Sequence, residues 1–163
     1  MIKKYLHIIL SMFFFLSCSQ KFKTIEEQFN SLSDVDYSDF ENISIVSRKD
    51  VYYVKYQNNK LLIRHNFFRT SIEQEDTDVP INLSNNDKKN IENTFHSFKK
   101  MNVSGLVVDD KSNVFISIPW SGYCTYYFLK LSDANSLKDL EKQYYQHYKG
   151  RWYLYKECAR SGW

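Results

Sequence analysis

Downstream of residue 20, the side chains able to do chemistry are His65, His96 and His147, Cys124 and Cys158, and many carboxylates. Zinc needs His or Cys at short fixed spacings, and neither His-Glu-x-x-His nor Cys-x-x-Cys occurs. No Gly-x-Ser-x-Gly elbow is present, and four glycines in the whole chain leave no glycine-rich phosphate cradle. Cys124 with His147 as its base is a nucleophile pair that can be drawn, but neither cysteine sits in a cysteine-protease signature. The run Glu73, Glu75, Asp76 and Asp78 lacks the Asp, Asn and Gly offsets of an EF-hand loop. A glycosidase needs two carboxyls face to face, which sequence alone does not place. The reading is no catalytic residue, no metal site and no cofactor: a protein that is not an enzyme.

Binding chemistry is better represented. The chain holds 13 Tyr, 12 Phe and 3 Trp. Pro119-Trp120-Ser121-Gly122-Tyr123 has the composition of a hairpin turn. Trp120 and Tyr123 there are candidate partner contacts, because exposed aromatic rings anchor interfaces. The alternative is that Trp120 folds back over the edge of the core. The acidic residues Glu73, Glu75, Asp76 and Asp78 read as a solvated loop from Thr70 to Asp78, suited to a basic partner.

These residues must be positioned by secondary structure. Thr24-Ile25-Glu26-Glu27 reads as a capping box, and Ile25, Phe29 and Leu32 follow at helical spacing to about Ser33. Strands are expected at 43–47, 51–56 and 61–67, with Asn58-Asn59 as a turn. Ser84 caps a second helix with the stripe Ile91, Phe95, Phe98 and with Lys99-Lys100 at its end. A meander follows at 105–108, 114–118 and 123–131. Ser132 or Asp133 then opens an expected third helix with Leu137, Leu140, Tyr144 and Tyr148 on one face, ended by Gly150. A last strand runs from Arg151 to Glu157. Leu83-Ser84 and Leu131-Ser132 each open a helix after strands, a faint internal duplication too short to establish a repeat. The fold class is α+β: an antiparallel sheet of about six to seven strands with two to three helices packed on one face.

The N-terminus supplies the address. Lys3 and Lys4 precede an apolar run from Tyr5 to Leu16, which is shorter than the roughly 20 residues needed to span a bilayer and matches the core of a secretory signal. Phe15-Leu16-Ser17-Cys18 resembles the lipobox of bacterial lipoproteins, in the looser form similar to that of the Bacteroidota. The box departs from the common pattern at Phe15, where Leu is usual, and at Leu16, where a small residue is usual. The resemblance covers residues 1–20 only. It implies cleavage before Cys18, a lipid on the Cys18 thiol, and a chain held on the bilayer at the cell envelope, facing the periplasm or the cell surface. The expected organisation is a signal over 1–17, a lipidated cysteine and tether over 18–23, and a single domain over 24–163. Ser19 to Lys23 reaches at most about 18 Å.

Loss of Lys3 and Lys4 takes Lys plus Arg from 22 to 20, against 19 Asp plus Glu. That near balance, with no long basic cluster, argues against nucleic acid as a partner. In an oxidising compartment Cys124 and Cys158 invite one disulfide, enclosing about 34 residues; a free buried thiol is the other reading. The functional expectation is a non-enzymatic, membrane-anchored lipoprotein whose small domain binds a protein, with an inhibitor or immunity-type factor favoured by analogy with other small exported lipoproteins. The alternative is a glycan or small-ligand binder that stacks sugars on exposed Tyr and Trp. Cys18→Ala is expected to abolish labelling by a fatty-acid probe and to move the protein to the soluble fraction; a variant that stays labelled and membrane-bound contradicts the anchor.

Overall fold

The computed structural model describes residues 24–57, 59–65, 70–75, 83–120 and 123–159. The signal, Cys18, its tether, Asn58, Asp76, Asp78, Ser121, Gly122 and Trp163 lie outside them. The chain divides into two compact units, one ending at Asp34 and the other beginning at Val35.

The described part of the first unit is helix α1, Ile25–Ser33. Its capping box forms as the sequence predicts. Thr24 Oγ1 accepts from the Glu27 amide at 3.1 Å, and the Thr24 amide donates to Glu27 Oε2 at 3.3 Å.

The second unit is built on one antiparallel sheet. In chain order its strands are β1 Ile43–Arg48, β2 Val51–Tyr56, β3 Asn59–His65, β4 Thr70–Gln74, β5 Gly105–Val108, β6 Val114–Trp120, β7 Cys124–Lys130, β8 Gln146–Lys149 and β9 Trp152–Cys158. Across the sheet they run β4-β3-β2-β1-β5-β6-β7-β9-β8. The sheet therefore consists of a first meander, β1 to β4, and a second, β5 to β7, which is extended by β9 and then β8; the two join where β1 meets β5 through Ser44↔Val107, Ile45↔Leu106 and Val46↔Gly105.

Beside that seam, β5 is held closely to β6. A Cβ on Gly105 would lie 2.5 Å from Ser117 Oγ, so only glycine fits without a shift of that hydroxyl. Ser104 Oγ in turn lies 3.0 Å from both the Ser117 carbonyl and Ser117 Oγ. The Ser47 amide donates to Ser104 O at 2.7 Å, continuing the seam.

Helix α2, Asn85–Met101, covers one face of the first meander. Ser84 caps it as the sequence predicts, in a full capping box with Asp87, and the helix ends at Asn102 in the left-handed conformation, a feature not singled out by the sequence. Ile91, Phe95 and Phe98 are buried, as are Val54, Leu61 and Ile63 on the strands beneath. Phe95 meets the Tyr52 ring edge-on at 4.8 Å, and Tyr56 donates to Asp87 Oδ1 at 3.0 Å. His65 is tied into the same structure, with Nδ1 2.9 Å from Thr70 Oγ1 and its ring against Phe95.

The expected third helix does not form. After β7 the chain runs through turns as far as Tyr145 and then enters β8. Ser136 and Asp139 begin a turn by bonding each other's amides, but Glu141 takes a left-handed φ of 54°. The Lys142 amide closes back on Leu137 O at 2.9 Å, the six-to-one bond that ends helices. Beyond it, the aromatic residues Tyr144, Tyr145 and Tyr148 favour extended packing over helix. Leu137 and Leu140 still pack inward, against Leu129, Leu131 and Tyr145 on the sheet face opposite α2's.

Two further strands raise the count to nine. Thr70–Gln74 is β4 and not a loop, and β8 occupies the end of the expected helix. The faint duplication fails with its second helix. The class remains mixed, with two α-helices among the described residues.

A buried polar residue locks the second meander. Asn113 is 0% exposed. Its amide and its Nδ2 both donate to Asp109, at 2.8 Å each, and its Oδ1 accepts from the Ser132 amide at 2.9 Å and from Asn135 Nδ2 at 3.2 Å. The β5–β6 turn is thereby tied to the segment leaving β7. Asn113→Leu is expected to cost about 1–3 kcal/mol, because it leaves the Ser132 amide without its acceptor and removes one donor from Asp109, which keeps the backbone amides of residues 111 and 113. A urea denaturation with unchanged midpoint would show that this network carries no stability.

Candidate functional site

The best-defined surface lies where β6, β7 and β9 end together. Trp120, Cys124 and Cys158 stand in register across the three strands. The Ala159 amide donates to Tyr123 O at 2.7 Å, which makes 123/159 a hydrogen-bonded pair and 124/158 the adjacent non-hydrogen-bonded one. At such positions facing side chains approach most closely. Cys124 and Cys158 are disulfide-bonded there, with Cα atoms 3.9 Å apart. Cys124 is thus not available as a nucleophile. His147 is engaged elsewhere, 2.8 Å from Gly150 O and edge-on to Tyr153.

The sequence-based candidates do not form one site. Trp120 is the half-buried last residue of β6, paired with Cys124, and not the tip of a turn. It shares the disulfide's face of the sheet. Tyr123 follows the alternation to the opposite face and is 72% exposed. Glu73 is in the edge strand β4, where it accepts from Arg64 Nε at 3.3 Å and from Ser71 Oγ at 3.2 Å; Glu75 follows it. Five strand spacings separate β4 from β6, about 24 Å. Asp76, Asp78 and Cys18 lie outside the described residues.

A tyrosine cluster, not singled out by the sequence, lies on Tyr123's side of the sheet. Tyr127 and Tyr155 are cross-strand partners whose rings stack at 5.8 Å. Tyr144 approaches Tyr155 edge-on at 4.8 Å and stays 51% exposed, with its hydroxyl accepting from Lys142 Nζ at 2.9 Å. Tyr145 packs beneath, 5.7 Å from Tyr155. Burial, and then neighbouring charge, pushes the Tyr127 and Tyr145 hydroxyls above their ordinary pKa. Both are therefore neutral hydrogen-bonding groups at physiological pH. The signal in the sequence was alternation: Tyr127 with Leu129, and Tyr153 with Tyr155, fall on one face once the register of β7 and β9 is known.

Two depressions on this unit gather charged or polar side chains. One of about 450 Å³ brings Tyr37, Lys130, Asp133 and Arg151 together, but Arg151 is bonded to Asp133 at 2.7 Å and to Leu131 O. Another, of about 380 Å³, is lined by Asp39, Glu41, Asn90 and Asn93. Among the described residues no group of three or more His, Cys, Asp or Glu is placed to hold a metal, and no helix is long and apolar enough to cross a membrane. What the exposed tyrosine rings offer is binding chemistry: Tyr123 stands beside the Cys124–Cys158 bond, and Tyr144 rests edge-on against Tyr155 of β9.

No protein-family profile matches the chain, and neither a curated protein nor a solved structure matches it. The double variant Cys124→Ser, Cys158→Ser is expected to fold, since seven β7–β9 register pairs remain. By the loop-closure argument it loses about 3–4 kcal/mol, for the sequence separation of 34. Urea denaturation checks this, and an unchanged midpoint would count against the bond as a stabilising closure.

Proposed function

We propose that this is a cell-envelope lipoprotein, lipidated on Cys18, whose sheet domain binds another protein without catalysing a reaction. The observation that carries the reading is the placement of Tyr123 and Tyr144. They are the exposed large hydrophobic residues of the described chain, and both belong to the disulfide-stapled β7–β9 side of the sheet. Ordered aromatic rings on a rigid frame lose little freedom on binding, which is how a few residues come to dominate an interface. The Cys124–Cys158 bond supports export, since disulfides persist in oxidising compartments. The lipobox resemblance supports an anchor.

Within this reading the domain acts by occlusion: Tyr123 and Tyr144 seat in a partner's cleft or groove, as an inhibitor or immunity-type factor would. Compared with the sequence-based candidates, the contact moves from Trp120 and the acidic residues to Tyr123 and its tyrosine neighbours. Crosslinking in native envelopes followed by affinity recovery is expected to return one stoichiometric partner. Tyr123→Ala and Tyr144→Ala should each weaken that complex by about 1–2 kcal/mol, or roughly tenfold, with thermal stability unchanged for Tyr123→Ala and lowered slightly for Tyr144→Ala, which loses its contact with Tyr155. Undiminished recovery with both substituted, or retention of cell-wall glycans in place of a protein, would overturn it.

A further inference from the structure

The sheet has two edges, β4 and β8. Free edges are templates for pairing, and proteins usually blunt them. The β8 edge is blunted: it is four residues long and its register shifts between His147 and Lys149. The β4 edge is not. Its register against β3 is unbroken from Thr70 to Gln74, and it contains no Pro, Gly or Lys.

The direction of its backbone groups follows from one bond. The Glu75 amide donates to Lys60 O at 3.0 Å, so Glu75, Glu73 and Ser71 bond inward to β3. Thr70, Ile72 and Gln74 then direct their N–H and C=O groups away from the sheet. Among the described residues no strand receives them.

The strand is complementary to itself. A two-fold axis through Ile72, perpendicular to the sheet, sets Ile72 opposite Ile72 and Thr70 opposite Gln74. Those are the residues with outward N–H and C=O, so the ladder closes with the correct parity. On the other face, Ser71 meets Glu73. No like charges stand directly opposite, and each Glu73 is already held by Arg64 of its own chain.

We infer that β4 pairs antiparallel with β4 of a second copy, joining two nine-stranded sheets into one across an isologous interface. This edge lies at the other end of the sheet from Tyr123, so both contacts can be made at once.

The test uses purified full-length chains carrying Cys18→Ser, so that only introduced thiols are free. A Ser71→Cys chain and a Glu73→Cys chain are differently tagged, mixed and oxidised. The expected result is a mixed disulfide dimer on a non-reducing gel. Either variant alone should give about tenfold less, because like positions are offset by two residues. Gln74→Pro, added to both chains, removes an outward N–H while leaving the inward bonds of Ser71 and Glu73, and should abolish the mixed dimer. No mixed dimer, equal crosslinking in the single-variant controls, or indifference to Gln74→Pro would each overturn the proposal. The readout does not depend on lipidation or on the tyrosine surface.

Discussion

Everything in the second unit depends on the seam between β1 and β5. Each meander is assembled from hairpins between near neighbours in sequence. Only the seam, which joins Ser44–Val46 to Gly105–Val107 some sixty positions later, makes them one sheet. Gly105 stands at the seam opposite Val46 and also packs against β6, where Ser117 Oγ occupies the place into which a Cβ would project. Ser104 reinforces the approach by bonding to the Ser117 carbonyl. A small residue in a strand normally weakens it through lost packing and added unfolded-state entropy. Here the loss is offset by the hydrogen bonds that Ser104 makes to Ser117 beside it, and α2 covers the first meander while the 132–145 segment packs on the opposite face of the second.

The elements legible in the sequence are those whose cause is local. Thr24 with Glu27, and Ser84 with Asp87, cap helices through contacts three residues apart, and the structure forms both boxes. The seven strands expected from β-branched and aromatic runs between turn signals all appear, as β1, β2, β3, β5, β6, β7 and β9. The misreadings have a common origin in context. Thr70–Gln74 looks like a polar loop because an edge strand needs no continuous apolar face; its pairing with β3 fixes it as a strand. Leu137, Leu140, Tyr144 and Tyr148 have helical spacing, yet the helix is stopped at Glu141 and the leucines are buried by the neighbouring strands. Periodicity records which residues turn inward and not how the backbone brings them there.

The candidate site was legible in composition and hidden in geometry. Tyrosine excess pointed to binding, and the paired cysteines to a staple. Which tyrosines gather was set by register: Tyr127 faces Tyr155 only because Cys124 faces Cys158 three residues along. Trp120 is drawn into β6 by that same ladder and is no longer a projecting tip. A binding surface made from cross-strand neighbours leaves no linear motif, which explains why the search for chemistry along the chain found so little.

The position of β9 bears on the order in which the domain can be completed. β8 precedes β9 in the chain but lies outside it in the sheet, so β9 is inserted between β7 and β8. Until Trp152 and the residues after it arrive, β7 has a partner on one side only, and the aromatic Tyr126–Phe128 stretch faces an open edge. A chain emerging in sequence order therefore carries this edge exposed until Trp152–Cys158 are available. Cys158 can meet Cys124 in register only after β9 has docked on β7. Closure of that bond therefore reports a completed sheet, whereas open thiols do not by themselves report an incomplete one, because the β7–β9 ladder stands without the bond.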